Sequence, residues 1–232
     1  MKKIGIIGGV TWASTADYYR LINQKINQQL GGHNTAEILI NSVNFNDAME
    51  LLINGDWNGV EDLFTTKAIE LKKAGAEFIA ISSNTIAKVA KKVAEKSELP
   101  LIHIIEATSK EVKKKDFKRI GFLGTGFTMK SRFYFDELNE YGIETVLPTP
   151  NEIEIISNII MTELANHIIL ENSQKVILQI MERMMKEDGV DGIILGCTEI
   201  PLLINQKDTQ IPLFDTTEIH TNYIVKYALE DN

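Results

Sequence analysis

Short runs of apolar residues without strict alternation recur along the whole chain. Such runs are typical of strands that are buried on both faces of a parallel sheet, because neither face of the strand meets solvent. The pattern predicts strands at residues 4–7, 38–43, 78–81, 101–105, 120–123, 193–195 and 212–214.

The segments between these runs carry apolar residues every three or four positions, which is the period of an amphipathic helix. They predict helices over residues 14–29, 60–74, 86–96, 130–141, 153–169 and 174–187, and a last helix through Tyr227. Strand and helix therefore alternate, and the predicted fold class is α/β with mainly parallel sheets.

Two parts of the chain resemble each other. Residues 3–9 (KIGIIGG) align with 119–125 (RIGFLGT), and residues 74–85 align with 188–199 at nearly the same offset. This duplication predicts two pseudo-symmetric Rossmann-like domains with an active site in the cleft between them. We expect one domain over 1–99, to which the tail 207–232 returns, and a second over 100–206. The alignment makes Ser83 equivalent to Cys197.

The composition and charge of the chain reduce the range of binding partners to be expected. The 232 residues are 44% hydrophobic and 24% charged, as in an ordinary globular protein, and the net charge is -8. An acidic chain offers no footprint for nucleic acid or for an anionic membrane surface, so we expect a small-molecule partner. Neither a signal peptide nor a membrane-spanning apolar run is found, which predicts a cytoplasmic protein. The four histidines are scattered, so no metal cofactor is expected.

Glycine turns follow two of the predicted strands, at Gly8-Gly9 and at Gly124-Thr125-Gly126. Backbone N–H groups and helix N-termini at such turns can bind a carboxylate or a phosphate. The alternative is that the glycines only permit tight turns. The first turn is not a dinucleotide fingerprint, because no third glycine follows Gly8-Gly9, and no phosphate-binding loop occurs anywhere in the chain.

Cys197 ends a predicted strand just before a helix start at Thr198 and Glu199. Unpaired N–H groups there would lower the pKa of the thiol from ~8.5 and make it a base or a nucleophile. The alternative is that Cys197 is only a small buried hydrophobic residue.

Asn84, Thr85 and His220 also have structural alternatives. Asn84 and Thr85 could be plain helix-capping residues. His220 either orients a neighbouring group or is a core histidine bonded to the backbone.

Several separated motifs resemble the aspartate/glutamate racemase family in sequence and in order. They are residues 8–15 (GGVTWAST), 83–85 (SNT), 124–125 with 128–129, 196–200 (GCTEI), and 214–216 with 218–220. The resemblance implies a pyridoxal-independent amino-acid racemase, without a cofactor, in which two cysteines flank the α-carbon. It implies homodimerisation as well, for which the sequence shows no interface.

The resemblance carries specific residues over to this chain. It implies Cys197 and Ser83 as the catalytic pair. It also implies a set of substrate-binding residues, namely Gly9, Val10, Thr11, Asn84, Thr85, Thr125, Thr198, Glu199 and His220.

Ser83 departs from the family, which has its first catalytic cysteine at this position. Three explanations remain open: a natural racemase with one thiol, in which Ser83 or water serves the second face; an engineered cysteine-to-serine variant; or one-sided chemistry, as in the related arylmalonate decarboxylases. A non-catalytic amino-acid binding module is the alternative from another class.

The substrate also remains open. Family members that act on acidic substrates have a basic residue after the second strand, whereas residues 43–48 contain none and Asp47 would repel a second carboxylate. Lys130 or Arg132 could substitute, although solvated surface charge is the alternative for each. Asn44 and Asn46 would instead suit an uncharged amino acid.

Overall fold

Residues 1–230, the part of the chain that the computed structural model describes, form seven strands and ten α-helices. The strands are β1 (Ile4–Gly8), β2 (Ile38–Ser42), β3 (Phe78–Ile81), β4 (Arg119–Leu123), β5 (Glu144–Val146), β6 (Gly192–Leu195) and β7 (Leu213–Asp215). The helices are α1 (Trp12–Leu30), α2 (Phe45–Ile53), α3 (Trp57–Lys73), α4 (Ala87–Ser97), α5 (Ile104–Lys114), α6 (Gly126–Lys130), α7 (Arg132–Glu140), α8 (Pro150–Thr162), α9 (Glu171–Glu187) and α10 (Thr216–Leu229).

The strands form two sheets, and every pairing between strands in them is parallel. The first sheet has the order β2-β1-β3, and the second has the order β5-β4-β6-β7. The predicted α/β class with parallel sheets is therefore confirmed.

The duplication seen in the sequence extends to the hydrogen bonds of the sheets. Ile7 pairs with Ile81 at the end of β1, and Leu123 pairs with Leu195 at the end of β4. The next residue of each partner strand then donates its N–H back, from Ser82 to Ile7 at 3.1 Å and from Gly196 to Leu123 at 2.7 Å. Ser83 and Cys197 therefore follow equivalent strand ends.

Each strand of the first sheet contributes alternate side chains to two apolar clusters. Ile4 and Ile6 of β1 pack in a cluster with Tyr18 of α1 and Ile224 of α10. Ile7 points the other way, into a cluster built largely from helices α2, α3 and α4. Both faces are buried, which explains why the sequence of β1 shows no polar alternation.

The structure divides the chain into two units. One comprises Met1–Ala107 and a segment that starts at Thr217, and the other comprises Thr108–Thr216. The sequence predicted these boundaries earlier, at 99/100 and 206/207. The observed boundaries lie later in the chain because each sheet includes one more pairing beyond the predicted boundary. Leu101 bridges to Ile79 in the first sheet, and β7 pairs with β6 in the second. Residues 207–216 thus belong to the second unit, and α10 returns to the first.

Some predicted elements differ from the observed ones. The predicted strand 101–105 is wrong, because only Leu101 forms a bridge and α5 begins at Ile104. Ser131 interrupts the predicted helix 130–141 and separates α6 from α7. The predicted helix 153–169 ends at Thr162, and the 3₁₀ turn Leu164–Asn166 follows. Helix α2 and the three-residue strand β5 were not predicted.

Within residues 1–230, no helix combines the length and the apolar character that crossing a lipid bilayer requires.

Candidate active site

The turn after β1 is closely packed around Gly9. This residue has a φ of 99°, and a Cβ atom built on it would lie 2.2 Å from the carbonyl oxygen of Val43. Only glycine fits such a position. The N–H of Gly9 donates to Oγ1 of Thr15 at 2.9 Å. This N–H is therefore engaged within the protein, as the tight-turn alternative describes.

Thr11 forms the N-cap of α1. Its hydroxyl accepts the N–H of Ser14 at 3.3 Å, and its own peptide bond to Val10 is cis. The Ser14 hydroxyl donates to the carbonyl oxygen of Ser82 at 3.0 Å. This bond ties the start of α1 to the residue that precedes Ser83.

The end of β3 presents three polar residues in succession. Ser83 and Asn84 are buried and Thr85 is partly exposed. The N-cap position of α4 is occupied by Ile86, which makes no side-chain cap bond, so neither Asn84 nor Thr85 is the N-cap residue that the capping alternative required. Ser83 also lines a small cavity together with His103.

His220 lies in the core of the first unit, with 1% of its surface exposed. Its Nε2 lies 2.8 Å from the carbonyl oxygen of Ile102, so Nε2 carries the proton and donates it. Its Nδ1 accepts the Tyr18 hydroxyl at 2.7 Å. Both nitrogens are therefore bonded within the protein, in the arrangement that the core-histidine alternative describes.

The turn after β4 is held by side chains in a similar way. Thr125 is the N-cap of α6, and its hydroxyl accepts the N–H of Thr128 at 3.2 Å. The N–H of Gly126 donates to the hydroxyl of Ser157 at 3.2 Å. These two donors of the turn are therefore engaged, whereas an anion site would need them available.

Gly196 lets the chain pass over an aromatic ring at the end of β6. A Cβ atom on Gly196 would lie 2.1 Å from Cζ of Phe122, and one on Gly124 would lie 2.9 Å from Cε1 of the same ring. Phe122 is fully buried. The two glycines therefore set how closely the ends of β4 and β6 approach this ring, and Cys197 follows directly.

A cluster of three side chains follows Gly196. The Cys197 thiol donates to Oε2 of Glu199 at 3.0 Å, and the Thr198 hydroxyl donates to the same oxygen at 2.8 Å. Cys197 is 6% exposed and Glu199 is 8% exposed. This contact was not predicted from the sequence, although a carboxylate two residues after a candidate thiol was the signal for it.

The environment of Cys197 raises the pKa of its thiol. Burial is the largest cause, followed by the charge of Glu199 and by its hydrogen bond to the thiol. The N–H groups of Glu199 and Ile200 act in the opposite direction. The predicted lowering by backbone donors is thus wrong in its net direction, because burial and the carboxylate outweigh them.

Asn44 and Asn46, the candidate residues for an uncharged substrate, are bonded locally. The Asn44 amide donates to Asp47 at 2.9 Å, and the Asn46 amide donates to Glu50 at 2.9 Å. Asn44 also accepts the N–H of Asn46, as the N-cap of α2. These bonds match a helix start more closely than a ligand site.

The two candidate cations of the second unit differ. Arg132 is 88% exposed and lies 3.6 Å from Asp136, which fits the alternative of a solvated surface charge. Lys130 lines a cavity of about 330 Å³ together with Ser157 and Glu154. Among the residues that the structure describes, no cluster of histidine, cysteine, aspartate and glutamate could hold a metal ion.

The fold and its two polar strand ends define a duplicated α/β protein with a buried hydroxyl after one strand and a buried thiol after the equivalent one. The family model of the Asp/Glu/Hydantoin racemases matches residues 7–224. The chain belongs to this family.

Solved structures resemble the chain over nearly its full length. A Yersinia pestis protein classed with the Asp/Glu racemases has a TM-score of 0.93 and 42% identity, covering 99% of this chain and 100% of that one. An aspartate racemase homologue from Pyrococcus horikoshii has a TM-score of 0.89 and 36% identity, with coverage of 99% and 100%.

Curated relatives match over shorter regions. The broad specificity amino-acid racemase RacX of Bacillus subtilis is 26% identical over 150 residues, which are 65% of this chain and 64% of that protein. The glutamate racemase of Aquifex pyrophilus is 31% identical over 137 residues, or 57% of this chain and 50% of that protein. The matches thus span between half and two thirds of these relatives.

Proposed function

We propose that this protein is a cofactor-independent amino-acid racemase that uses one thiol. Cys197 removes the α-proton of an L-amino acid, and Ser83, or water beside it, serves the opposite face. The observation that carries the proposal is the equivalence of the two strand ends: Ser83 follows β3 as Cys197 follows β6, with matching backbone bonds from Ser82 and Gly196.

The first chemical step breaks the Cα–H bond. Its proton goes to the Cys197 thiolate, and its electron pair remains on the α-carbon and spreads into the carboxylate. The Cα–H group is a very weak acid, so donors around the carboxylate must stabilise this charge. Asn84 and Thr85 serve in that role, together with nearby backbone N–H groups. Thr198 joins them when its hydroxyl, which donates to Glu199 in the free protein, turns to the substrate carboxylate.

The second step returns a proton from the opposite face and forms the D-amino acid. Ser83 can pass on a proton from solvent, but a hydroxyl is a far weaker acid than a thiol. The D- and L-forms are equal in free energy, so the two directions of complete racemisation have equal kcat/KM. The difference between Ser83 and Cys197 should therefore be seen in two rates measured on the L-substrate. Its α-proton should exchange with solvent faster than the substrate is inverted to the D-form.

The substrate class is an amino acid, and acidic amino acids are the first choice. Relatives in the family are named aspartate and glutamate racemases, and one is named a broad specificity amino-acid racemase. The local bonds of Asn44 and Asn46 weaken the case for a neutral side chain. Lys130 is the basic residue that we propose for the second carboxylate, because it lines a cavity in the second unit.

The test follows the α-proton by NMR in D2O, together with chiral composition, for L- and D-aspartate, L- and D-glutamate and neutral amino acids. Exchange with appearance of the D-form supports the racemase. Cys197→Ala should abolish exchange; Glu182→Gln, at an exposed ion pair with Lys186, should leave it unchanged. Substantial exchange in Cys197→Ala would exclude the thiol as the base.

The raised pKa of Cys197 favours a second candidate, a decarboxylase in which the thiol protonates a carbanion. Release of CO2 from an arylmalonate, without α-proton exchange of any amino acid, would support it. A binding module would show neither reaction, but it would gain stability with ligand, by ~2.7 kcal/mol at 100 times Kd.

A further inference from the structure

Cys197, Thr198 and Glu199 form a buried cluster with one carboxylate at its centre. Oε2 of Glu199 accepts both the thiol, at 3.0 Å, and the Thr198 hydroxyl, at 2.8 Å. The thiol is therefore bonded through its proton to an anion, and this bond exists only while the thiol is protonated. In the free protein the cluster holds Cys197 in its unreactive form.

A base is nevertheless required on this face if the proposed racemisation is to occur. The change that would release the thiol is a cation brought to Glu199, because it would compete for Oε2 and offset the negative charge beside the sulfur. An amino-acid ligand carries one such cation, its α-ammonium group, on the same carbon as the proton to be removed.

We infer that Glu199 binds the α-ammonium group of the substrate and that this ion pair releases the Cys197 thiol to become the base. The inference deepens the proposed function and rests on it for the role of Cys197. The S–H bond breaks, its electron pair stays on sulfur, and its proton passes to the solvent. Substrate binding and activation of the thiol are then one coupled event.

The coupling between substrate binding and thiol activation has two consequences. The thiol remains protonated, and therefore protected from alkylation and oxidation, until an amino group arrives. In addition, a ligand without an amino group leaves the cluster as it is, so the chemistry is reserved for amino acids. Glu199 thus selects for the ammonium group, a role separate from binding of the α-carboxylate.

The first experiment measures the rate of Cys197 alkylation by iodoacetamide against pH, with no ligand, with L-aspartate or L-glutamate, and with succinate or glutarate. The two diacids keep both carboxylates and lack the amino group. Cys197 is the single cysteine of the chain, so the label reports on it alone. Because a bound ligand can also shield the thiol, the pH midpoint is compared rather than the rate itself.

We expect the midpoint to fall on binding of an amino acid and to stay in place with the diacids. Calorimetry in two buffers of different ionisation enthalpy should show proton release with L-aspartate or L-glutamate and none with succinate or glutarate. Both comparisons use the unaltered protein, so they do not depend on the folding of a variant. Equal midpoints with amino acid and diacid, or no binding of any amino acid, would overturn the inference.

The variant Glu199→Gln provides the second experiment. Without the carboxylate, the pH midpoint of Cys197 alkylation should already be lower in the free protein, and an amino acid should no longer shift it. Glu182→Gln removes an exposed carboxylate from α9 in the same unit and should behave as the unaltered protein does. A ligand response in Glu199→Gln equal to that of Glu182→Gln would overturn the inference.

The inference and the proposed function fail in different ways. A shift of the midpoint without α-proton exchange would support the role of Glu199 and count against the racemase. Exchange without any shift would support the racemase and overturn the role of Glu199.

Discussion

The hydroxyl of Tyr18 donates to Nδ1 of His220 at 2.7 Å, and this bond joins α1 to α10 inside the first unit. Both residues are buried, and their rings meet edge to face. The second unit has an equivalent contact, in which the fully buried Tyr134 of α7 bonds to the side chain of Thr108 in α5. Each unit therefore contains a buried tyrosine that holds another helix in place. Tyr18 holds α10, which follows β7, and Tyr134 holds α5, which follows the bridge at Leu101.

The first prediction concerns stability against pH. Burial lowers the pKa of His220 to about 4; its bond to Ile102 opposes this and the nearby His103 adds to it. An unfolded histidine has a pKa of about 6.5, so the unfolded chain binds more protons between these values and stability falls as pH falls. Denaturant unfolding should show a loss of roughly 3 kcal/mol from pH 7 to pH 4 that comes from this residue.

The variant His220→Gln separates this effect from the titration of other groups. It should be less stable than the unaltered protein at pH 7, because the Tyr18 contact changes, but it should lose less stability on acidification. The same slope of stability against pH in both proteins would contradict the assignment of a buried neutral histidine.

The second prediction concerns the glycine beside the candidate thiol. Gly196→Ala places a methyl group 2.1 Å from Cζ of Phe122, whose ring is fully buried and must shift to make room. Overpacking of this kind costs about 1–3 kcal/mol. Thermal and denaturant unfolding should show the loss, and the added change Phe122→Leu should recover part of it. If Phe122→Leu lowered the stability of Gly196→Ala as much as that of the unaltered protein, the ring would not be the obstacle.

The third prediction concerns a buried hydroxyl in α3. Oγ1 of Thr65 is buried and has no hydrogen-bond partner among the described residues, so it loses hydration without compensation. Thr65→Val should raise the free energy of unfolding by about 1 kcal/mol. The neighbouring hydroxyl of Thr66 donates to the carbonyl oxygen of Asp62 at 2.9 Å. Thr66→Val is the matched control and should give no gain; an equal gain in both would point to helix propensity instead.

The sequence predicted the strands that are buried on both faces, because continuous apolar runs mark them clearly. It did not reveal β5, whose three residues are partly exposed and too few to form a pattern. It misassigned residues 101–105 because the same apolar run continues from the bridge at Leu101 into Ile104 and Ile105 of α5. The spacing of apolar residues cannot distinguish a strand from a helix over so few positions.

The equivalence of two strand ends could be predicted from the sequence, whereas the electrostatics around the thiol could not. The repeat located Ser83 and Cys197 at equivalent strand ends, which the backbone bonds of the two sheets repeat. The sign of the thiol pKa shift was not predictable, since it depends on how burial and the Glu199 carboxylate compare with two backbone donors. The bonds of His220 to Tyr18 and Ile102 depend on tertiary packing, which no local motif encodes.

The last prediction tests the asymmetry at Ser83. The variant Ser83→Cys places a thiol where the hydroxyl stands, and a thiol is the stronger acid and the better proton donor to a carbanion. We expect the ratio of inversion to α-proton exchange for the L-substrate to rise, on the order of 10-fold or more, toward the value of a symmetric pair. Chiral analysis and NMR in D2O on the same sample give this ratio directly.

Ser83→Ala is the matched variant, because it keeps the small buried volume and removes the hydroxyl. If Ser83 itself passes on the proton, this variant should exchange the L α-proton at close to the normal rate while inversion falls. If water carries the proton, inversion should persist in Ser83→Ala and the role of the hydroxyl is refuted. An unchanged ratio in Ser83→Cys, with normal folding, would mean that the second face is not served from position 83.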